Sequence, residues 1–182
     1  MNLPNKLTML RVIMIPFFVV CMLVPSIPYN NIIALVIFCV ASLTDALDGH
    51  IARSRNLVSN FGKFMDPLAD KLLVSSAMIC FLGIPDNPMP VWAVIIIIAR
   101  EFIISGFRLV ASDAGIVIAA SYWGKVKTVT QMVMSIVLIL NINNKVFDTI
   151  EWVLIIAAVV LTVVSLVDYM IKNWKVLDDG NM

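Results

Sequence analysis

Four aspartates, Asp45, Asp48, Asp66 and Asp70, stand close together in a chain that is otherwise strongly apolar. Asp45 and Asp48 are three residues apart and Asp66 and Asp70 four apart, so within helices each pair shares one face. Four carboxylates facing one another repel. At an effective dielectric of about 20, each close pair costs on the order of 4 kcal/mol. Such a group must be protonated in part, paired with cations or bound to metal. Two divalent ions would neutralise it, and an all-oxygen shell suits magnesium, manganese or calcium. The alternative is a set of solvated surface carboxylates, but ionisable groups in membrane helices usually face the interior and serve a function.

The neighbours of the aspartates fit a ligand. Gly49 and Ala52 lie within about 40° of the Asp45–Asp48 face on a helical wheel, and small side chains there would let a ligand approach the backbone. Close helix–helix packing is the competing explanation. Arg53, one turn beyond Gly49, is placed to hold a phosphate; it could equally be a positive anchor at the membrane edge, as Arg55 is taken to be. His50 points away from the aspartates and receives no role. Cys21, Cys39 and Cys80 sit inside apolar runs without metal-ligand spacing, and with one histidine in the chain a zinc site is not expected.

The elements that must position these groups are membrane helices. The chain has 182 residues, of which 61% are hydrophobic and 14% charged, against about 25% charged in a soluble domain. Its apolar runs approach the roughly 20 residues that cross a bilayer. Six transmembrane helices are expected, over about Lys6–Val24, Asn31–Arg53, Lys63–Leu82, Val91–Val110, Tyr122–Leu140 and Ile150–Trp174. Pro25-Ser26-Ile27-Pro28, the breaker-rich run from Gly83 to Pro90, and Asn141-Ile142-Asn143-Asn144 separate them. The fold class is thus all-α, an integral membrane bundle forming a single domain over 1–182. Lys6, Arg11, Arg53, Arg55, Lys63, Arg108, Lys125, Lys127, Lys172 and Lys175 fall on one side, and Lys145 alone on the other. That asymmetry places both termini and the aspartates at the cytoplasmic face. No basic stripe with stacking aromatics is present, so nucleic acid is not an expected partner.

The segment Asp45-x-x-Asp48-Gly49-x-x-Ala52-Arg53, followed after eight residues by Gly62-x-x-x-Asp66-x-x-x-Asp70, resembles the signature of the CDP-alcohol phosphatidyltransferase family with every defining position filled. The six-helix reading agrees with that family, and the resemblance extends over essentially the whole chain. It implies that Asp45, Asp48 and Asp66, with Asp70 near them, hold two divalent cations, Mg2+ or Mn2+, that grip the pyrophosphate of a CDP-linked lipid. It also implies that Gly49, Arg53 and Ser59 contact the cytidine nucleotide, with Asp48 and the small Ala52 beside it. Ser59 stands where many members have threonine and keeps the hydroxyl. Asp70 would be the general base that takes a proton from the acceptor alcohol, after which CMP leaves. A homodimer in the cell membrane is the usual state in this family.

The acceptor is read from other segments. The start, Asn2-Leu3-Pro4-Asn5-Lys6-Leu7-Thr8-Met9-Leu10-Arg11, resembles the bacterial branch that takes glycerol 3-phosphate and makes phosphatidylglycerol phosphate. So do Arg100-Glu101-Phe102 through Gly106-Phe107-Arg108, and Trp123-Gly124-Lys125-Val126-Lys127-Thr128 with Gln131. Arg108, Lys125 and Lys127 would meet the acceptor phosphate, with Arg100 two turns deeper, since a dianion needs such donors. The lysines could instead only set topology. Lys127, Thr128, Gln131 and Ser135 form a polar stripe expected to face the interior, and Glu101 shares a face with Arg108 and would orient it. Asn5 and Thr8, one turn apart, would help bind the nucleotide of CDP-diacylglycerol, or else cap or bend the first helix. Inositol phosphate is the rival acceptor. A cation transporter is the rival of another class, though transporters usually place such groups at the midplane and carry repeated halves, and no repeat is visible.

Overall fold

The computed structural model describes residues 3–54, 60–113, 116, 118 and 121–174; for residues 3, 4, 45–54, 60–64, 66, 67, 70 and 113 it describes the backbone alone. Six α-helices account for nearly all of this: α1 Leu3–Leu23, α2 Asn30–Ser54, α3 Asn60–Leu82, α4 Val91–Asp113, α5 Tyr122–Leu140 and α6 Lys145–Asn173. The order and number are those expected, and α5 has the expected ends.

The larger differences are the earlier starts of α1, α3 and α6 and the later end of α4, which runs to Asp113 where Val110 was expected. A polar first turn is invisible to hydropathy, yet α6 begins at Lys145 and not at Ile150. Asn144, in an extended conformation (φ −153°, ψ 130°), caps it by accepting a hydrogen bond from the Val146 amide at 2.9 Å. Asp148 in the first turn and Lys172 in the last complement the helix dipole. In α1, Pro4 is tolerated in the first turn, whereas Pro16 inside the helix leaves the Val12 carbonyl without its usual in-helix partner.

The chain forms two compact units, residues 1–87 with 138–141, and residues 88–137 with 142–182. In the first, α1 packs on α2 and α3, and α2 touches α3. Ala34, Ala41, Ala69 and Ala77 are fully buried, and such small side chains let helices approach closely where lipid supplies no hydrophobic drive. Phe18 and Phe38 fill the space between, ring centroids 5.9 Å apart. Gly83, just after α3, meets the end of α1: a Cβ there would lie 3.2 Å from Leu23 Cδ2. The Asn31 amide at the start of α2 donates to the Leu140 carbonyl at 3.4 Å. Left-handed residues Tyr29, Asp86 and Asn141 mark the connections.

In the second unit, α4 packs on α6 around Ile104, Phe107 and Tyr169, with Ile118, Leu166 and Met170 against them. Ala158, Thr162 and Ser165 form a buried small-residue stripe on α6, whose hydroxyls donate to the carbonyls of Ala158 and Thr162. Large apolar side chains are exposed along each of these helices, among them Phe17, Ile79, Ile95, Val129 and Val160, as suits a lipid-facing surface. Among the described residues, three helices are long and apolar enough to cross a membrane: α1 over Asn5–Leu23, α5 and α6. The described apolar stretches of α2 and α3, Asn30–Thr44 and Lys71–Leu82, are shorter, and α4 carries Arg100, Glu101 and Arg108.

Candidate active site

The first unit carries the acidic signature. Asp45 and Asp48 lie on α2, Asp66 and Asp70 on α3, and these two helices touch and both pack on α1. The side chains of Asp45, Asp48, Gly49, Ala52, Arg53, Asp66 and Asp70 lie outside the described ones, and Ser59 lies outside the described residues. Among the described residues, no three His, Cys, Asp or Glu side chains gather as a metal site would. The donor set itself suits a hard divalent ion, being all carboxylate and drawn from two neighbouring helices.

Asn5, Thr8 and Arg11, spaced three residues apart on α1, are all buried. Arg11 is 0% exposed. Its Nε donates to the Ala41 carbonyl on α2 at 3.2 Å, and the Thr44 hydroxyl donates to the same oxygen at 2.7 Å. Ala41 is one turn before Asp45, so a guanidinium is buried at the level where the acidic stretch of α2 begins. Sequence reasoning counted Arg11 only as a cytoplasmic charge. The topology rule weighs charges by the side they fall on and says nothing of burial. Its spacing from Asn5 and Thr8 was the signal that could have revealed it.

In the second unit, the expected acceptor residues divide. Glu101 accepts from Arg100 Nη1 at 3.3 Å and pairs closely with the Lys127 ammonium. Lys127 is 2% exposed, a buried ion-pair partner and not a surface charge. Glu101 thus binds Lys127 and Arg100, where orientation of Arg108 was expected. Arg108 lies over the Tyr169 ring, its guanidinium carbon 5.8 Å from the centroid, within cation–π range. Arg108 and Tyr169 are also close enough to Arg100 to act on its charge. Lys125, exposed in the first turn of α5, makes none of these contacts.

The start of α5 shapes this cluster. Ser121 accepts from the Gly124 amide at 3.1 Å, capping the helix. The Arg100 guanidinium lies beside Gly124 of α5, where a Cβ would sit at ordinary contact distance, 3.5 Å, from Nη2. Lys127, Gln131 and Ser135 follow as a buried stripe, whereas Thr128, expected on the same stripe, is exposed and returns its hydroxyl to the Gly124 carbonyl. The reason is angular: residues 127, 131 and 135 repeat every four, and 128 is turned about 100° from 127.

The sequence matches the family described as CDP-alcohol phosphatidyltransferase over residues 1–164, a stretch running through both units. A Bacillus subtilis protein named CDP-diacylglycerol–glycerol-3-phosphate 3-phosphatidyltransferase is 43% identical over 197 residues, covering 99% of each chain. A Haemophilus influenzae protein of the same name is 38% identical over 181 residues, covering 98% of this chain and 97% of its own. One from Escherichia coli is 42% identical over 137 residues, covering 72% of this chain and 73% of its own. With its signature filled at every position and its match spanning nearly the full length, the chain belongs to the CDP-alcohol phosphatidyltransferase family of membrane enzymes.

Proposed function

We propose that this enzyme transfers the phosphatidyl group from CDP-diacylglycerol to glycerol 3-phosphate, giving phosphatidylglycerol phosphate and CMP. The observation that carries the reading is the end-to-end similarity to proteins named for that reaction, 43% identical over 99% of the chain. The cationic cluster of the second unit supports a phosphorylated acceptor, which serine would not need.

In this reading the donor residues belong to the first unit. Asp45, Asp48, Asp66 and Asp70 would hold two divalent cations, Mg2+ or Mn2+, and Asn5, Thr8, Gly49, Ala52, Arg53 and Ser59 would serve the CDP moiety. When bound, the ions withdraw charge from the phosphoryl oxygens and stabilise the departing phosphate. Asp70 takes the proton from the acceptor hydroxyl, and that oxygen attacks the lipid-side phosphorus. The bond from this phosphorus to the bridging oxygen breaks, and CMP carries that oxygen away. A carboxylate within hydrogen-bond reach is worth about 10²–10⁴-fold in such a step. Arg100, Arg108, Lys125 and Lys127 would bind the acceptor phosphate, charge-assisted donors being the strong ones.

Residues 1–182 would work as one catalytic domain crossing the cell membrane six times. Both termini and the aspartates would lie at the cytoplasmic face, where nucleotide and glycerol 3-phosphate are dissolved and acyl chains stay in lipid. A homodimer is the proposed assembly. The test is CMP release by purified protein given CDP-diacylglycerol with glycerol 3-phosphate, inositol phosphate or serine, with and without chelator. Chelator-sensitive turnover with glycerol 3-phosphate is expected. Preference for another alcohol would refute the acceptor, and absence of CMP release with every alcohol would refute the reaction.

A further inference from the structure

Among the described residues, the second unit buries four side-chain atoms without a hydrogen-bond partner, three that can donate and the acceptor Asp168 Oδ2. The donors Arg100 Nε, Gln131 Nε2 and Tyr169 Oη are buried and have no hydrogen-bond partner among the described residues, in side chains belonging to residues 9%, 4% and 2% exposed. Native proteins rarely bury a donor without satisfying it, so each such atom calls for an explanation. The three belong together. Gln131 follows Lys127 by one turn on the buried face of α5, Lys127 and Arg100 share Glu101, and Tyr169 carries Arg108 on its ring near Arg100.

Charge sharpens the point. Among the described side chains of this cluster, the buried cations Arg100 and Lys127 share one carboxylate, Glu101, and the exposed Arg108 adds a third positive charge over the Tyr169 ring. Asp168, next to Tyr169 on α6, meets Lys172 through Oδ1 at 2.6 Å, while its buried Oδ2 has no partner among the described residues. A dianion bearing several oxygen acceptors is attracted to such a cationic cluster and would engage the waiting donors.

We infer that Gln131 and Tyr169 are acceptor-recognising residues, whose Nε2 and Oη donate to oxygens of glycerol 3-phosphate alongside Arg100 Nε. The inference rests on the acceptor reading above and deepens it, bringing α6 into a site that the motifs place on α4 and α5. Tyr169 is suited to the role because its ring is fixed independently of its hydroxyl: Phe107 packs edge-on at 5.6 Å and Arg108 covers a face. The hydroxyl is free to serve a ligand without costing the core its packing.

The test uses the full-length enzyme in lipid nanodiscs with Tyr169→Phe, which removes one oxygen and keeps the ring, and Gln131→Met, close in volume. KM for each substrate is measured, together with the rise in melting temperature that glycerol 3-phosphate produces. Each variant is expected to raise KM for glycerol 3-phosphate about tenfold and to lose most of that thermal shift. KM for CDP-diacylglycerol should stay within twofold of wild type. Tyr169→Phe should melt no lower than wild type without acceptor, because the lost hydroxyl has no partner among the described residues. If Gln131→Met fails to fold, Tyr169→Phe decides alone. An acceptor KM within twofold of wild type, or both KM values rising together, would overturn the assignment of that residue. A wild type that neither turns over glycerol 3-phosphate nor is stabilised by it would instead remove the acceptor reading, and this inference with it.

Discussion

Asp70 and Lys127 show how differently two charged residues can be read. For Asp70 the expected role is proton removal, a step that follows substrate binding. Asp70→Asn should therefore reduce turnover at least about 100-fold while leaving CDP-diacylglycerol binding within a few-fold, measured by equilibrium binding to the purified variant. Turnover within tenfold of wild type would remove Asp70 as the base. Lys127 has two roles to separate, because it is bound to Glu101 inside the protein. Lys127→Ala should cost about 1–3 kcal/mol of stability by leaving Glu101 with Arg100 as its remaining cation and should also raise KM for glycerol 3-phosphate more than for the lipid. Adding Glu101→Gln should restore much of the stability and none of the acceptor KM. Recovery of both would leave Lys127 as a structural cation.

At the scale of elements, the helices are held by polar contacts as well as apolar ones. Arg11, fully buried, joins α1 to α2 through the Ala41 carbonyl. Arg11→Met should lower stability in detergent by about 1–3 kcal/mol, and Arg11→Lys, which keeps a charge and a donor, should recover part of it. A melting temperature unchanged in Arg11→Met would mean the contact contributes nothing. The cap of α6 is a contrasting case. Asn144→Ala should cost about 1 kcal/mol and leave both KM values alone, since the cap belongs to the turn that starts the helix and not to the polar cluster of the second unit.

For the whole molecule, the proposal is six crossings with both ends inside. With Cys21, Cys39 and Cys80 replaced, a cysteine at Asp86 should react with a membrane-impermeant maleimide in intact cells, and one at Lys6 only after permeabilisation. Equal labelling at both positions would reject the arrangement. The number of helices was legible because apolar runs separated by Pro, Gly and Asn announce both their lengths and their ends. The starts of α1, α3 and α6 were not, because a polar first turn such as that of α6 lowers the hydropathy of a segment whose backbone is nonetheless helical.

The residue types and spacings alone determined the family, the all-helical class and the expected acid chemistry, because a motif is a property of the chain and its periodicity survives without coordinates. Tertiary structure decided what the basic residues do. Arg11, Lys127 and Lys125 look alike in a charge count, yet Arg11 bonds a backbone carbonyl in the core, Lys127 binds Glu101, and Lys125 is exposed. Tyr169 and Gln131 became visible as unserved donors only once their surroundings were placed. Burial and partnership depend on side chains distant in sequence, and one-dimensional patterns carry no record of them.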